Sequence, residues 1–226
     1  MTELRTILHT IESFAAPGTT RGHLEGIAAA ARGSLDRTAP GAVLSVWLGN
    51  PVAKGDLAPP IEDWLGGTRQ LAMVRVDFDG TRFSSHELEA LADDLSAALE
   101  AGGWSGNCWV LERMSTVRPE GEHAPAGWLQ VVMMTVKPEA EAEFNDWYDN
   151  EHVDRISRVS GFRGVERFIA TRGSPRYVAL WSMPTAQESE APDWLEASQT
   201  PWTVRMRASI VDRRRFVMTE EPPAAN

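Results

Sequence analysis

WLQVVMMTVKPEAEAEFNDWYDNEHVDRISRVSGFRGVERFIATRGSPRYVALWSM, residues 128–183, decides the fold. It opens on an apolar run, Trp128–Val136, that reads as a strand. Pro138 then stands at the first position of a helix, where its missing N–H costs nothing. That helix is expected to run to about Val159, with Gly161 as terminator. Phe162–Ala170 reads as a second strand, Gly173-Ser174-Pro175 as a turn and Tyr177–Met183 as the returning strand. Downstream, Thr185–Ser198 is a weaker helix interrupted by Pro192, and Ala208–Met218 a last strand. The order is β-α-β-β-α-β.

Upstream the same order occurs once already. Leu4–Glu12, Ala42–Leu48, Gln70–Phe78 and Asn107–Arg113 read as strands. Thr19–Arg37 carries Leu24, Ile27, Ala31 and Leu35 at helical spacing. Ser84–Glu100 is the best-marked helix: Ser84 and Glu87 form a capping box, Leu88, Leu91, Leu95 and Leu99 one stripe, and Gly102-Gly103 the stop. Asn50–Thr68, with its prolines and glycines, reads as a long connection with a short helical turn around Trp64.

The fold class is therefore α+β: two tandem ferredoxin-like βαββαβ units, each an antiparallel sheet with both helices on one face. The bare, half-apolar face of each sheet needs a cover, and the chain carries a second sheet to supply it. That leads to a pseudo-dimeric α+β barrel within one chain, with a further homodimer left open. The expected division is a structural first unit over 1–116 with an insertion at 49–69, a linker over 117–126, a second unit over 127–219 carrying the candidate site, and a mobile tail over 220–226.

Composition narrows the function. Of 226 residues, 42% are hydrophobic and 24% charged, which suits a packed core. A net charge of −10 argues against nucleic acid, since phosphate backbones call for a basic footprint. Arg213-Arg214-Arg215 lies in a strand-like stretch, where alternation sends its members to both faces and breaks any patch. The lone cysteine, Cys108, allows no internal disulfide and reads as a buried hydrophobe. No secretory leader and no membrane-length apolar run stand out, so the expectation is a cytoplasmic protein without a membrane partner. Neither paired His or Cys spacings nor a phosphate-binding glycine loop nor G-x-S-x-G occurs, so no metal, nucleotide or serine-nucleophile chemistry is expected.

The chemistry concentrates in the first helix of the second unit. Phe144, Tyr148, His152 and Arg155 follow i, i+4, i+8 and i+11 and share one stripe, flanked by Trp147 and Glu151. A packed stripe normally carries Leu, Ile or Val. A phenol and an imidazole buried there without partners would cost about 1–3 kcal/mol each, so a polar network or a wet cavity has to satisfy them. The plainer alternatives are a core histidine bonded to backbone, Tyr148 and Trp147 as packing residues, and Asp146, Asp149 and Asp154 as a solvated face.

FNDWYDNEHVDRISRVSGF resembles the helix-to-strand signature of EthD-like members of the dimeric α+β barrel superfamily, through Phe144, Trp147, Tyr148, His152, Gly161 and Phe162. Ala197–Arg207 resembles the loop-helix before the last strand of such proteins, while the first half matches in element order alone. The resemblance implies a pocket between helices and sheet. In it His152 would be the general acid or base, Tyr148 a donor to a carbonyl or enolate oxygen, and Glu151 an orienting or assisting carboxylate. Phe144, Trp147, Arg155, Trp181 and Met134 would bind substrate, their apolar surfaces suiting an aromatic or polyketide-like molecule. The implied function is a cofactor-independent isomerase, cyclase, decarboxylase or oxygenase acting on a small carbonyl compound in a catabolic or secondary-metabolite pathway. A non-catalytic binding or structural barrel is the alternative, and a haem protein with His152 as proximal ligand the third reading.

Overall fold

The computed structural model describes residues 4–13, 20–51, 70–120 and 126–220. The first half is β1 (Leu4–Ser13), α1 (Thr20–Thr38), β2 (Val43–Pro51), β3 (Gln70–Asp79), α2 (Ser85–Ala101) and β4 (Gly106–Val117). The second is β5 (Trp128–Val136), a 3-10 turn (Pro138–Ala140), α3 (Glu141–Trp147), a π-helical turn (Tyr148–His152) and α4 (Val153–Ile156). There follow β6 (Gly164–Arg172), β7 (Tyr177–Met183), α5 (Pro192–Ser198), α6 (Pro201–Arg207) and β8 (Ile210–Glu220). Two βαββαβ units are present, in the order the sequence patterns imply. The helical turn expected around Trp64, most of the insertion, half of the linker and the tail after Glu220 fall outside the described residues.

The eight strands close one antiparallel barrel in the order β1-β3-β2-β8-β5-β7-β6-β4. The two sheets thus face each other and are also stitched edge to edge, through β2–β8 and β4–β6. Edge pairing satisfies the backbone groups that two stacked sheets would leave open, so the described strands form a barrel without a free edge. It also explains why β4 runs past Arg113 to Val117, into the stretch expected as linker: its last residues pair with Val165, Glu166 and Arg167 of β6.

Strand alternation divides the apolar residues into three layers. Leu8, Met73, Trp109, Leu111, Val131, Met133, Phe168 and Leu180 fill the barrel interior. Ile7, Ile11, Val74 and Val76 point outward under α1 and α2. Val132, Met134, Val136, Ala179 and Trp181 point outward under the helices of the second half. β5 is buried on both faces, which is why it reads as a continuous apolar run.

Local chemistry holds where the sequence signalled it. The Ser84–Glu87 capping box forms, with the Ser84 amide donating to Glu87 at 2.7 Å and the Glu87 amide donating to Ser84 Oγ at 3.3 Å. Two expectations need correction. The helix after Pro138 is not continuous, because a π turn interrupts it. Thr185–Ser198 is not one helix either: a 3-10 turn at Glu188–Glu190 precedes α5, and Pro192 starts that helix instead of interrupting it. No described helix is long and apolar enough to cross a membrane.

Candidate active site

The π turn sets the geometry. The Val153 amide donates to the carbonyl of Tyr148, five residues back, where an α-helix would reach only four. In a regular helix, residues five apart point about 140° away from each other. The extra residue in this turn brings Trp147 and His152 together instead, ring centroids 4.4 Å apart and 32° from coplanar. Tyr148 meets the same imidazole edge-on at 5.0 Å, and Trp181 of β7 meets it at 5.7 Å and 86°. His152 is thereby held by three aromatic rings.

Hydrogen bonds hold these rings in turn. The Trp147 indole N–H donates to Thr203 Oγ1 at 3.3 Å. Thr203 and Thr200 hydroxyls are 3.0 Å apart, and Thr200 donates to the Glu151 carboxylate. Because the Thr200 proton goes to Glu151, Thr203 must donate to Thr200. The result is a directed relay Trp147→Thr203→Thr200→Glu151. Beneath the Tyr148 ring the Arg167 guanidinium lies 4.1 Å from its centroid. Arg167 is 3% exposed, paired with Asp149, and donates to Asn145 Oδ1 at 3.0 Å.

Between the broken helix and the second sheet lies a cavity of about 110 Å³. Gln130, Val132 and Met134 of β5 and Trp181 form its floor; Trp147, Tyr148 and His152 form one wall. Thr203 and Arg207 of α6, with Arg213 and Arg215 of β8, complete it. The β5–β8 register explains the arginines: Arg215 stands opposite Val132 and Arg213 opposite Met134, on the same outward face. Arg214 alternates to the other side and lies over Trp109, 6.0 Å from its ring centroid. Arg215 is tied down by Gln130 at 2.8 Å, Ser189 at 2.9 Å and an ion pair with Glu190.

Burial and charge fix the protonation states. Desolvation pushes the Tyr148 hydroxyl up to about 12, partly opposed by Arg167 and by a hydrogen bond with Trp181, so it is a neutral phenol. His152 is pushed down to about 3, first by burial and then by Arg167, Arg213 and Arg207. Its Nδ1 is enclosed without a hydrogen-bond partner, so the core-histidine alternative, a ring bonded to backbone through that nitrogen, is not what the structure shows. A neutral imidazole and a neutral phenol thus share one cavity with three cations.

Of the residues singled out by sequence, His152, Tyr148, Trp147, Trp181 and Met134 converge on this cavity. Phe144 is fully buried behind Tyr148, 5.5 Å between ring centroids, and lines only a minor void on the Arg167 side. Glu151 turns to Thr200, and exposed Arg155 donates to the Ala197 carbonyl at 3.1 Å, so neither reaches the cavity. Sequence reasoning passed over Gln130, Thr203, Arg207, Arg213 and Arg215. For the last pair a signal existed: arginines two apart in a strand share a face.

A haem does not fit this site. The cavity has room for about one aromatic ring; an engineered void of about 150 Å³ takes up benzene, and a porphyrin is several times larger. A ligating histidine normally donates its other ring N–H to a carboxylate or carbonyl, and Nδ1 of His152 has no such partner. Nor does any cluster of His, Cys, Asp and Glu suited to a metal occur among the described residues.

No protein-family sequence model matches the chain, and no curated protein matches it by sequence. Solved structures do. An anthrone oxidase-like protein superposes with a TM-score of 0.61 at 15% identity, covering 98% of this chain and 92% of its own. A chlorite dismutase variant from Candidatus Nitrospira defluvii gives 0.59 at 12% identity over 97% and 92%. A candidate monooxygenase from Fusobacterium nucleatum subsp. nucleatum gives 0.53 at 11% identity over 95% and 92%. These matches span nearly the whole chain, both halves included. The shared fold is an α+β barrel of two ferredoxin-like units, both of them in one chain here.

Proposed function

We propose that this protein is a small-molecule enzyme that works by acid–base chemistry on a carbonyl compound, without a bound cofactor, in the cavity beside His152. The observation that carries this reading is the convergence of a neutral imidazole, a neutral phenol and an arginine wall on one aromatic-lined cavity. His152 accepts a proton from the carbon next to the carbonyl. Tyr148 donates to the carbonyl oxygen as it becomes an enolate. The arginines that disfavour the imidazolium are the same ones that stabilise the enolate, so the field of the site acts on the species carrying negative charge.

A site of this kind supports several outcomes. The carbanion can be reprotonated elsewhere, attack a second carbonyl, form after loss of CO2, or react with dioxygen. The monooxygenase and anthrone oxidase-like names among the structural relatives favour the last outcome, by analogy of fold. Proton exchange tests the C–H step, which runs forward in every outcome but decarboxylation and there runs in reverse, when the carbanion is reprotonated. Aryl ketones with an acidic C–H, from one to three rings, are incubated with the protein in deuterated water and followed by NMR. Deuterium is expected to enter at the α-carbon of at least one of them, and His152→Ala is expected to abolish this with the barrel intact. Equal exchange in His152→Ala sinks the role of His152, and no exchange above the buffer rate in the parent with any of the ketones favours a non-catalytic binding barrel.

A further inference from the structure

We propose that the cavity beside His152 takes an aromatic carboxylate, its ring against Trp147, Trp181 and Trp194 and its carboxylate against Arg207 and Arg213. This names a substrate class for the site described above, and it rests on that reading only in calling the ligand a substrate.

The charge distribution is the first observation. The chain has 32 acidic residues and 22 basic ones, yet among the described residues no Asp or Glu lines this cavity, while three arginines do. Arg215 has its counter-ion in Glu190. Among the described residues the Arg213 side chain has no hydrogen bond or ion pair, and the Arg207 side chain bonds only the neutral Gln199 side chain. Arg213 is exposed and Arg207 half-buried, so two solvated guanidinium groups border one space, and Glu190, which also acts on Arg213, is engaged by Arg215. An anion entering the cavity supplies what the protein omits, and the planar guanidinium fork suits a carboxylate in particular.

Shape is the second. The rest of the wall is aromatic and aliphatic: Trp147, Trp181, Trp194, Val132, Met134 and Ile156. A space of about 110 Å³ is on the scale of a single ring, whose substituent then extends to the solvent-accessible arginines, and it excludes a polycyclic body unless the wall opens. The arginines stand on α6 and β8, across the cavity from the helix that carries Tyr148 and His152. A ligand anchored on them presents its other end to the imidazole.

The two features are coupled. His152 faces Arg167 of β6, Arg207 of α6 and Arg213 of β8, with Tyr148 beside it on its own helix. Arg167 is already paired with Asp149, and Glu151 is occupied by Thr200. Only Arg207 and Arg213 are open to neutralisation. A carboxylate on them lifts their field from the imidazole and strengthens it as a base when substrate is in place.

Benzoate and its near-isosteric neutral amide, benzamide, separate charge from shape. Binding is followed by quenching of tryptophan fluorescence and by the imidazole C–H resonances of His152. Benzoate is expected to bind about tenfold or more tightly than benzamide at low salt. Arg213→Gln and Arg207→Gln are each expected to weaken benzoate about tenfold while leaving benzamide unchanged. The His152 resonances are expected to titrate at higher pH with benzoate bound than without. Equal binding of the two probes overturns the proposal, as does unaltered benzoate affinity in both variants with the fold intact by circular dichroism, or no benzoate binding at millimolar concentration. His152→Ala keeps both arginines and should retain the preference for benzoate, so loss of the acid–base role and loss of the carboxylate site are read separately.

Discussion

The imidazole of His152 lies over the indole of Trp147, 4.4 Å between centroids, although the two are five residues apart on one helix. A π turn at Tyr148–His152 makes that contact possible. Such turns insert one residue into a helix and often mark sites where a side chain has been re-aimed.

Removing the inserted residue should straighten the helix and keep the contact. Deleting exposed Asn150 leaves Trp147 and His152 four residues apart, which an α-helix places on one face. The barrel is expected to persist by circular dichroism, with a melting temperature changed by no more than several degrees. The imidazole then stays beside Trp147, so proton exchange should survive the deletion, whereas an alanine inserted next to Asn150 turns the imidazole away and should abolish it. Exchange lost on deletion and kept on insertion contradicts this reading of the π turn.

The relay from Trp147 to Glu151 makes a stability prediction. Thr203→Val leaves the buried Trp147 indole N–H without an acceptor, at a cost of about 1–3 kcal/mol in urea denaturation. Thr203→Ser restores the hydroxyl and should recover most of that loss. Glu151→Gln keeps an acceptor at the end of the relay and is expected to change stability by less than Thr203→Val. A larger loss in Glu151→Gln would mean that Glu151 acts on something besides Thr200.

His152 also ties stability to pH. Its folded value, about 3, lies below the ordinary 6.5, so between these values the unfolded chain binds a proton that the folded one refuses. Stability from this residue is complete above about pH 6.5 and declines as pH falls toward 3. Burial also lowers His9, which gives the same sign. Denaturation midpoints measured from pH 7 down to about 4 should therefore fall less steeply in His152→Leu than in the parent. Parallel slopes refute a His152 held neutral in the folded protein.

Tyrosine titration offers an optical check. The chain has two tyrosines, Tyr148 and Tyr177, and burial raises both, Tyr148 to about 12. Tyrosinate absorbance should therefore lag the ordinary titration near pH 10 until the protein unfolds. Because both values are raised, stability is expected to fall as pH climbs above about 10. Tyr148→Phe should keep the delayed Tyr177 step alone, and an early step in the parent would place Tyr148 in water.

The order of strands and helices was readable because each half-buried strand alternates or runs apolar, and because Ser84, Glu87, Pro138 and Gly102 mark helix ends chemically. The aromatic–histidine cluster was readable too, since a helix stripe carrying Phe144, Tyr148 and His152 is unusual on composition alone. The stripe misplaced some members, however. A 3.6-residue period put Trp147 on the flank and Arg155 on the face, whereas the π turn brings Trp147 onto His152 and leaves Arg155 in solvent.

The sequence by itself determined two βαββαβ units and the helix in which the chemistry concentrates, because hydrophobic period and capping act within a few residues. Only the tertiary structure decided that the barrel closes edge to edge, that Trp147 and His152 stack, and that Arg207, Arg213 and Arg215 face them. Alternation in β8 says that Arg213 and Arg215 share a side but not what lies opposite. That depends on β8 pairing with β5, some 80 residues earlier in the chain, so that the arginine face of the last strand comes to lie beneath the helix that carries the imidazole.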